Sequence, residues 1–232
     1  METLIKLSLI THIAAGTIAL LTGLIPMLAK KGSRLHNRAG LLYVYCMIAV
    51  AASAVLLCVF QPFKLFRLFL AGIAVFSFYL SFTGWRATKQ KKTGPAFGDR
   101  VLTFVTLAVS IGMIGFGGWL LSQSFSVVSV LFTFFGVLTM TFAVQDVRLI
   151  GKTPEAQHWF FQHFTRMGGS YISAFTAFVV VNIGRIAGDH VPAWLGLAGW
   201  IAPSLIGGML IGRTVRYYKI KFSTPKKVAV AV

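Results

Sequence analysis

The stretch Glu155–Phe178, EAQHWFFQHFTRMGGSYISAFTAF, places two histidines, a glutamate and an arginine at the head of an apolar run. Ionisable side chains beside a hydrocarbon-length segment are costly to desolvate unless something pairs or ligates them, so this crowding marks a helix entering a membrane and a candidate site at its mouth. Outward from it, the same alternation of polar knot and apolar run fills the chain. Seven runs of about 20 residues, each enough to cross about 30 Å of hydrocarbon, occupy 7–28, 39–60, 65–87, 101–121, 127–150, 164–183 and 193–211. The expected fold is all-α: a polytopic membrane helix bundle with seven transmembrane helices. It forms one domain, residues 1–222, followed by a short basic cytoplasmic tail, 223–232.

Composition agrees. The 232 residues are 56% hydrophobic and 12% charged, with mean hydropathy +0.79, outside the range of soluble domains. A net charge of +17 raises nucleic acid as a partner, but the bases fall in small groups between apolar runs and form no continuous stripe. They read instead as loops facing anionic lipids at the cytoplasmic face, so the lipid bilayer is the expected partner and nucleic acid is not. Alternate loops divide the 22 Lys and Arg unevenly, eighteen against four. Basic loops stay in the cytoplasm, which predicts an outside N-terminus and a cytoplasmic C-terminus. The N-terminal run has Lys6 as its one base and continues to Leu28 before Lys30 and Lys31 stop it. It reads as a first span, not a signal peptide. Cys46 and Cys58 lie on one run, about 18 Å apart along a helix, too far to bridge.

Small residues fall on stripes, as expected where helices associate in lipid by close approach. His12, Gly16, Ala19 and Gly23 share a face of the first helix, which turns His12 toward protein. The fourth helix aligns Ala108, Gly112, Gly115 and Trp119, and the fifth aligns Gly136, Thr139, Ala143 and Asp146. The last carries Gly196, Gly199, Pro203 and Gly207, with a kink expected near Pro203.

Topology sorts the five histidines by depth: His36, His158 and His163 at the cytoplasmic boundary, His190 beside Asp189 outside, and His12 below the outer surface. His36 heads the second helix with Gly40, Tyr43 and Met47 on its face, Asp146 ends the fifth, and His163 opens the sixth with Met167 one turn on, so three helix ends are expected to converge. Imidazole is the commonest metal ligand and carboxylates often orient it. The candidate cofactor-binding residues are therefore His36, His163, Met167 and Tyr43. The candidate metal ligands are His36, His163, Asp146 and His158, although for His158 a ring at headgroup depth beside Trp159 is the preferred reading. Glu155-x-x-His158 has di-iron spacing, but such sites need two copies and the chain has five acidic residues. Walker, Gly-x-Ser-x-Gly, His-Glu-x-x-His and Cys-x-x-Cys motifs are all absent. Asp99 is expected to N-cap the fourth helix.

Two stretches carry a resemblance. Leu35-His36-Asn37-Arg38-Ala39-Gly40-Leu41-Leu42-Tyr43-Val44 is similar to a Leu-His-Arg-x-x-Gly-x-x-Tyr pattern, with Asn37 in the place of its arginine and Arg38 one position later. His163-Phe164-Thr165-Arg166-Met167, followed by Ser170, Tyr171, Thr176 and Ala177, is similar to a His-x-x-x-Met stretch leading into a helix. Both patterns are those of a family of bacterial predicted integral membrane proteins, domain of unknown function 2306, which the chain resembles in these two stretches. The resemblance implies that His36 and His163 work together, and it brings no established activity.

The function expected first is therefore that of a multi-pass protein of the bacterial inner membrane with a histidine-ligated cofactor or metal near its cytoplasmic face. A b-type haem serving electron transfer would suit paired histidines near Tyr43, Phe160 and Phe164. Two alternatives are a zinc-dependent intramembrane hydrolase using the inner histidines and Asp146, and a small-solute transporter or membrane sensor built on Gly- and Pro-interrupted helices.

Overall fold

The computed structural model describes residues 1–152, 155, 157–188 and 192–223. His190, Asp189 and residues 224–232, most of the expected tail, lie outside them. The described residues form eight helices and no strand: α1 Glu2–Leu28, α2 Arg34–Phe60, α3 Leu65–Ala87, α4 Phe97–Gln123, α5 Val127–Val147, α6 His158–Val181, α7 Ile183–Ala187 and α8 Ala193–Ser223. Six of them, α1 to α5 and α8, are long and apolar enough to cross a membrane. At 24 residues, about 36 Å, α6 has the length but not the hydropathy. Its deficit comes from a stripe of Arg166, Ser170, Ser173 and Thr176, all buried against protein.

That stripe explains why α6 sits inside. It packs on α3, α8 and α1, while α1 pairs with α2 and α4 with α5, and α3 joins the two hairpins through α2 on one side and α4 and α5 on the other. Close approach in the α4–α5 pair depends on Gly117 and Gly136. A Cβ on Gly117 would stand 2.8 Å from the Thr133 backbone nitrogen, and one on Gly136 3.0 Å from that of Ile114. The packed face of α4 is accordingly Asp99, Thr103, Thr106, Ser110, Met113 and Gly117. The expected stripe through Gly112, Gly115 and Trp119 is corrected: no atom lies within 4 Å of a Cβ at either glycine, and Trp119 is exposed. Hydroxyls that bond to backbone carbonyls of their own helix, as Thr103 and Ser110 do, can face a dry interface, which a small-residue rule overlooks.

Helix ends follow local chemistry more than hydropathy. Ser33 caps α2 by accepting from the His36 N–H at 3.2 Å, and Ser126 caps α5 by accepting from Ser129 N–H at 3.2 Å. Asp99 is not the N-cap of α4 but lies three residues inside, where its carboxylate accepts from the Ala96 N–H at 2.9 Å. The last helix outruns its apolar segment, 193–211, by twelve residues and runs through Pro203. Its extension is held by rings: Tyr218 and Phe222 pack on Phe160 of α6 at 5.3 and 5.5 Å between centroids.

Two apolar clusters result. The larger gathers Phe69, Phe76, Phe132, Phe135 and Trp200. The smaller gathers Ala15, Ala19, Tyr43, Val44 and Met47, with Trp85, Met167 and Tyr171 against them. His12 turns inward, its Nδ1 3.0 Å from Ser53 Oγ and 3.2 Å from the Val50 carbonyl. Cys46 and Cys58 are both free thiols.

Candidate functional site

His36 and His163 meet. Their ring planes are inclined at 65° with centroids 6.2 Å apart, and each is oriented in the same way. His36 Nδ1–H donates to the Pro26 carbonyl at 3.0 Å, and His163 Nδ1–H donates to the Gly84 carbonyl at 2.9 Å. Both acceptors lie in the last turn of a helix, α1 or α3, where carbonyls lack intrahelical partners. At the end of α3 the chain tightens, so that Thr88 N–H bonds to Trp85 and leaves the Gly84 oxygen to the histidine. A carbonyl only accepts, so each Nδ1 carries a proton, and in the neutral ring Nε2 keeps its lone pair. This is how metal-binding imidazoles are commonly held.

The spacing also bears on what could sit there. Two imidazoles on opposite sides of one metal ion, bound at ~2.0 Å, have centroids about 6 Å apart, whereas two of the four ligands of a tetrahedral ion have them about 5 Å apart. The observed 6.2 Å between centroids is nearer the first separation than the second. Met167, one turn beyond His163, packs on Gly84, where a Cβ would come 3.1 Å from its Cγ. Tyr43 is fully buried, and its hydroxyl is hydrogen-bonded to Ser170 Oγ at 2.7 Å, which makes it a wall of the site and not a ligand. Gly23 admits the edges of both Tyr43 and Tyr171, whose rings a Cβ would approach to 2.8 and 2.6 Å. Lys31, in the loop between α1 and α2, donates to the Pro26 and Met27 carbonyls at 2.7 and 3.0 Å. Partial desolvation of its ammonium draws its pKa below the usual lysine value.

Asp146 and His158 are not brought to this pair. Asp146 accepts from Arg166 Nη2 at 2.8 Å, from Gln162 Nε2 at 3.1 Å and from the Tyr79 hydroxyl. Arg166 is 2% exposed. Its Nη2 also donates to the Phe142 carbonyl at 3.1 Å, and its guanidinium stacks 4.7 Å from the Phe142 ring. A second ion pair, Arg86 with Asp99 at 2.8 Å, lies at the same end of the bundle. His158 lines a small cavity that also reaches Arg86, Asp99 and Asp146, together with Thr103, Lys152 and Trp159. Among the described residues no three His, Cys, Asp or Glu gather as a metal-holding group, so the four candidate metal residues divide between two places.

Sequence reasoning missed the Arg166–Asp146–Tyr79 cluster as a unit. A signal existed: Arg166 stands eight residues past the start of α6, a helix with no other Lys, Arg, Asp or Glu, and an intramembrane charge implies a partner. It also missed Arg86 as the partner of Asp99. Compared with known proteins, the chain matches no family model, no curated protein sequence and no solved structure.

Proposed function

We propose that the chain is a seven-span protein of a bacterial inner membrane, N-terminus outside and C-terminus cytoplasmic, that holds a metal-centred cofactor between His36 and His163. A b-type haem serving electron transfer is the form favoured. The observation that carries this reading is the pair itself: two Nδ1–H groups anchored on helix-end carbonyls, two Nε2 lone pairs left over, and 6.2 Å between centroids. Support for α6 as the seventh span comes from its length and its inward polar stripe. The likeness to domain of unknown function 2306 rests on the same two histidine stretches.

The residues fit such a group in kind. His36 and His163 would hold the group, and Met167, one turn beyond His163, belongs to an aromatic and thioether cluster with Tyr43, Trp85 and Tyr171. Lys31 supplies a cation for a porphyrin carboxylate. Haem bound here would supply one-electron chemistry. The chain's own part is to fix both rings, to raise their basicity through the Nδ1–H bonds and to keep water from the inner side of the pair. A zinc hydrolase is less well supported, because a tetrahedral ion asks for more ligands than the pair provides. A transporter is favoured by a separate observation, the buried Asp146–Arg166 pair, whose carboxylate lines a small cavity.

The test is a reduced-minus-oxidised visible spectrum of protein purified in detergent after expression with ample haem. Alpha and Soret bands in the wild type, lost in H36A and in H163A but kept in H158A, are expected. A featureless spectrum from folded protein sinks the haem reading. Metal analysis of the same samples then shows whether another metal occupies the pair.

A further inference from the structure

The cavity that takes in His158 lies between the ends of α3, α4, α5 and α6 that carry the basic loops, and its volume is about 50 Å³. That is room for a few waters or one small polyatomic ion. Its walls contain two carboxylates, yet these are already engaged. Asp99 accepts from Arg86 Nε and Nη2 at 2.8 and 2.9 Å, from Ala96 N–H at 2.9 Å and from Gln90, filling the roughly four acceptor positions of a carboxylate. Asp146 is held by Arg166, Gln162 and Tyr79. Its charge is cancelled by Arg166 as that of Asp99 is by Arg86.

What remains toward the cavity is a set of nitrogen groups, which His158 joins as a donor in the tautomer that carries its proton on Nε2. Arg86 keeps guanidinium hydrogens that Asp99 does not use, the Lys152 side chain has no partner among the described residues, and His158 Nε2 is buried without a hydrogen-bond partner. Lys91, 4.2 Å above the Trp159 ring, adds positive charge at the same wall. A buried nitrogen left unpaired costs free energy, and the ammonium groups of Lys152 and Lys91, without a carboxylate partner among the described residues, favour an anion beside this small cavity that also accepts from the spare Arg86 hydrogens. We propose that this cavity binds a small oxyanion carrying a phosphate-type group, held by Arg86, Lys152 and His158. The group can be free phosphate or the headgroup of an anionic phospholipid, since both present the same oxygens to the same donors. The inference does not depend on the His36–His163 pair, none of whose atoms line the cavity.

Inorganic phosphate is titrated calorimetrically into the purified full chain and into K152Q, H158Q and the double variant. The same proteins are then melted in phosphatidylcholine nanodiscs with and without phosphatidylglycerol. Saturable phosphate binding, weakened about tenfold by each single substitution, assigns a free oxyanion. Stabilisation by phosphatidylglycerol alone, lost in the variants, assigns a headgroup. The proposal is overturned if neither ligand acts on the wild type, or if the double variant responds as the wild type does. Lys152 is exposed, so K152Q carries the test should H158Q fail to fold.

Discussion

Removing one partner of the Arg166–Asp146 pair is the sharpest perturbation the structure offers. The pair is nearly dry, with side chains 2% and 10% exposed and 2.8 Å between nitrogen and oxygen. In D146A the guanidinium keeps the Phe142 carbonyl at 3.1 Å and the rings of Phe142 and Tyr79 at 4.7 and 5.4 Å, but no counter-charge. An uncompensated buried charge costs about 3–5 kcal/mol. In R166M the carboxylate keeps only Gln162 and Tyr79, and the expected cost is similar. The double variant D146L/R166M removes both charges and their desolvation, and replaces them with apolar volume. It is expected within about 2 kcal/mol of the wild type, because replacing a buried pair by apolar residues is often close to neutral. The coupling between the sites is then on the order of 4 kcal/mol or more. Equilibrium unfolding in mixed micelles, read by helical circular dichroism, measures all four proteins. If the two single costs add to within about 0.5 kcal/mol in the double variant, the pair is not the energetic unit described here.

Three further outcomes follow from close contacts. G84A sets a Cβ 2.9 Å from Arg166 Cβ and 3.1 Å from the Met167 backbone nitrogen, so it is expected to destabilise by about 1–3 kcal/mol and to shift the acceptor of His163, seen as altered ring resonances in NMR. Y43F loses the 2.7 Å bond to Ser170 and leaves that hydroxyl its bond to the Ser77 carbonyl; a cost of about 1 kcal/mol in the same unfolding assay is expected. W200A empties a site where the indole meets Phe69 and Phe135 edge-on at 5.1 and 5.9 Å, at a cost of about 3–5 kcal/mol.

Much of the helix layout was legible because apolar runs in a membrane protein are bounded by charges. The run 65–87 coincides with α3, and α1, α2 and α4 differ from their runs chiefly by polar first turns such as Arg34–Arg38, which are helical but not greasy. The Tyr217–Phe222 segment was illegible by hydropathy, since its helix is held by ring contacts with α6. The meeting of His36 and His163 could be inferred from two short stretches that head neighbouring helices. The separation of Asp146 from them could not. It is decided by which face of α6 looks at which neighbour: Gln162 and Arg166, one turn apart on a single face, both reach Asp146, while His163, next to Gln162 in sequence, turns to the Gly84 carbonyl.

The bundle is polarised along its length, and this makes a second, opposite kind of coupling testable. Both ion pairs, Tyr79, His36 and His163 lie at the end with the basic loops, while Trp200, Phe69, Phe132 and Phe135 close the other end. Trp200 touches Phe135, eleven residues and about 16 Å of helix from Asp146, so W200A and D146A share no partner and their costs are expected to add within about 0.5 kcal/mol. Phe142 stands where the two ends meet: its ring packs on Phe76 of the aromatic cluster at 6.1 Å and carries the Arg166 guanidinium on its face. F142A is therefore expected to couple to R166M by about 0.5–2 kcal/mol, the range of a partly desolvated cation over a ring. If W200A and D146A prove as strongly coupled as F142A and R166M in the same unfolding assay, the two ends act as one cooperative unit, and the polar end cannot rearrange around a ligand while the aromatic end stays closed.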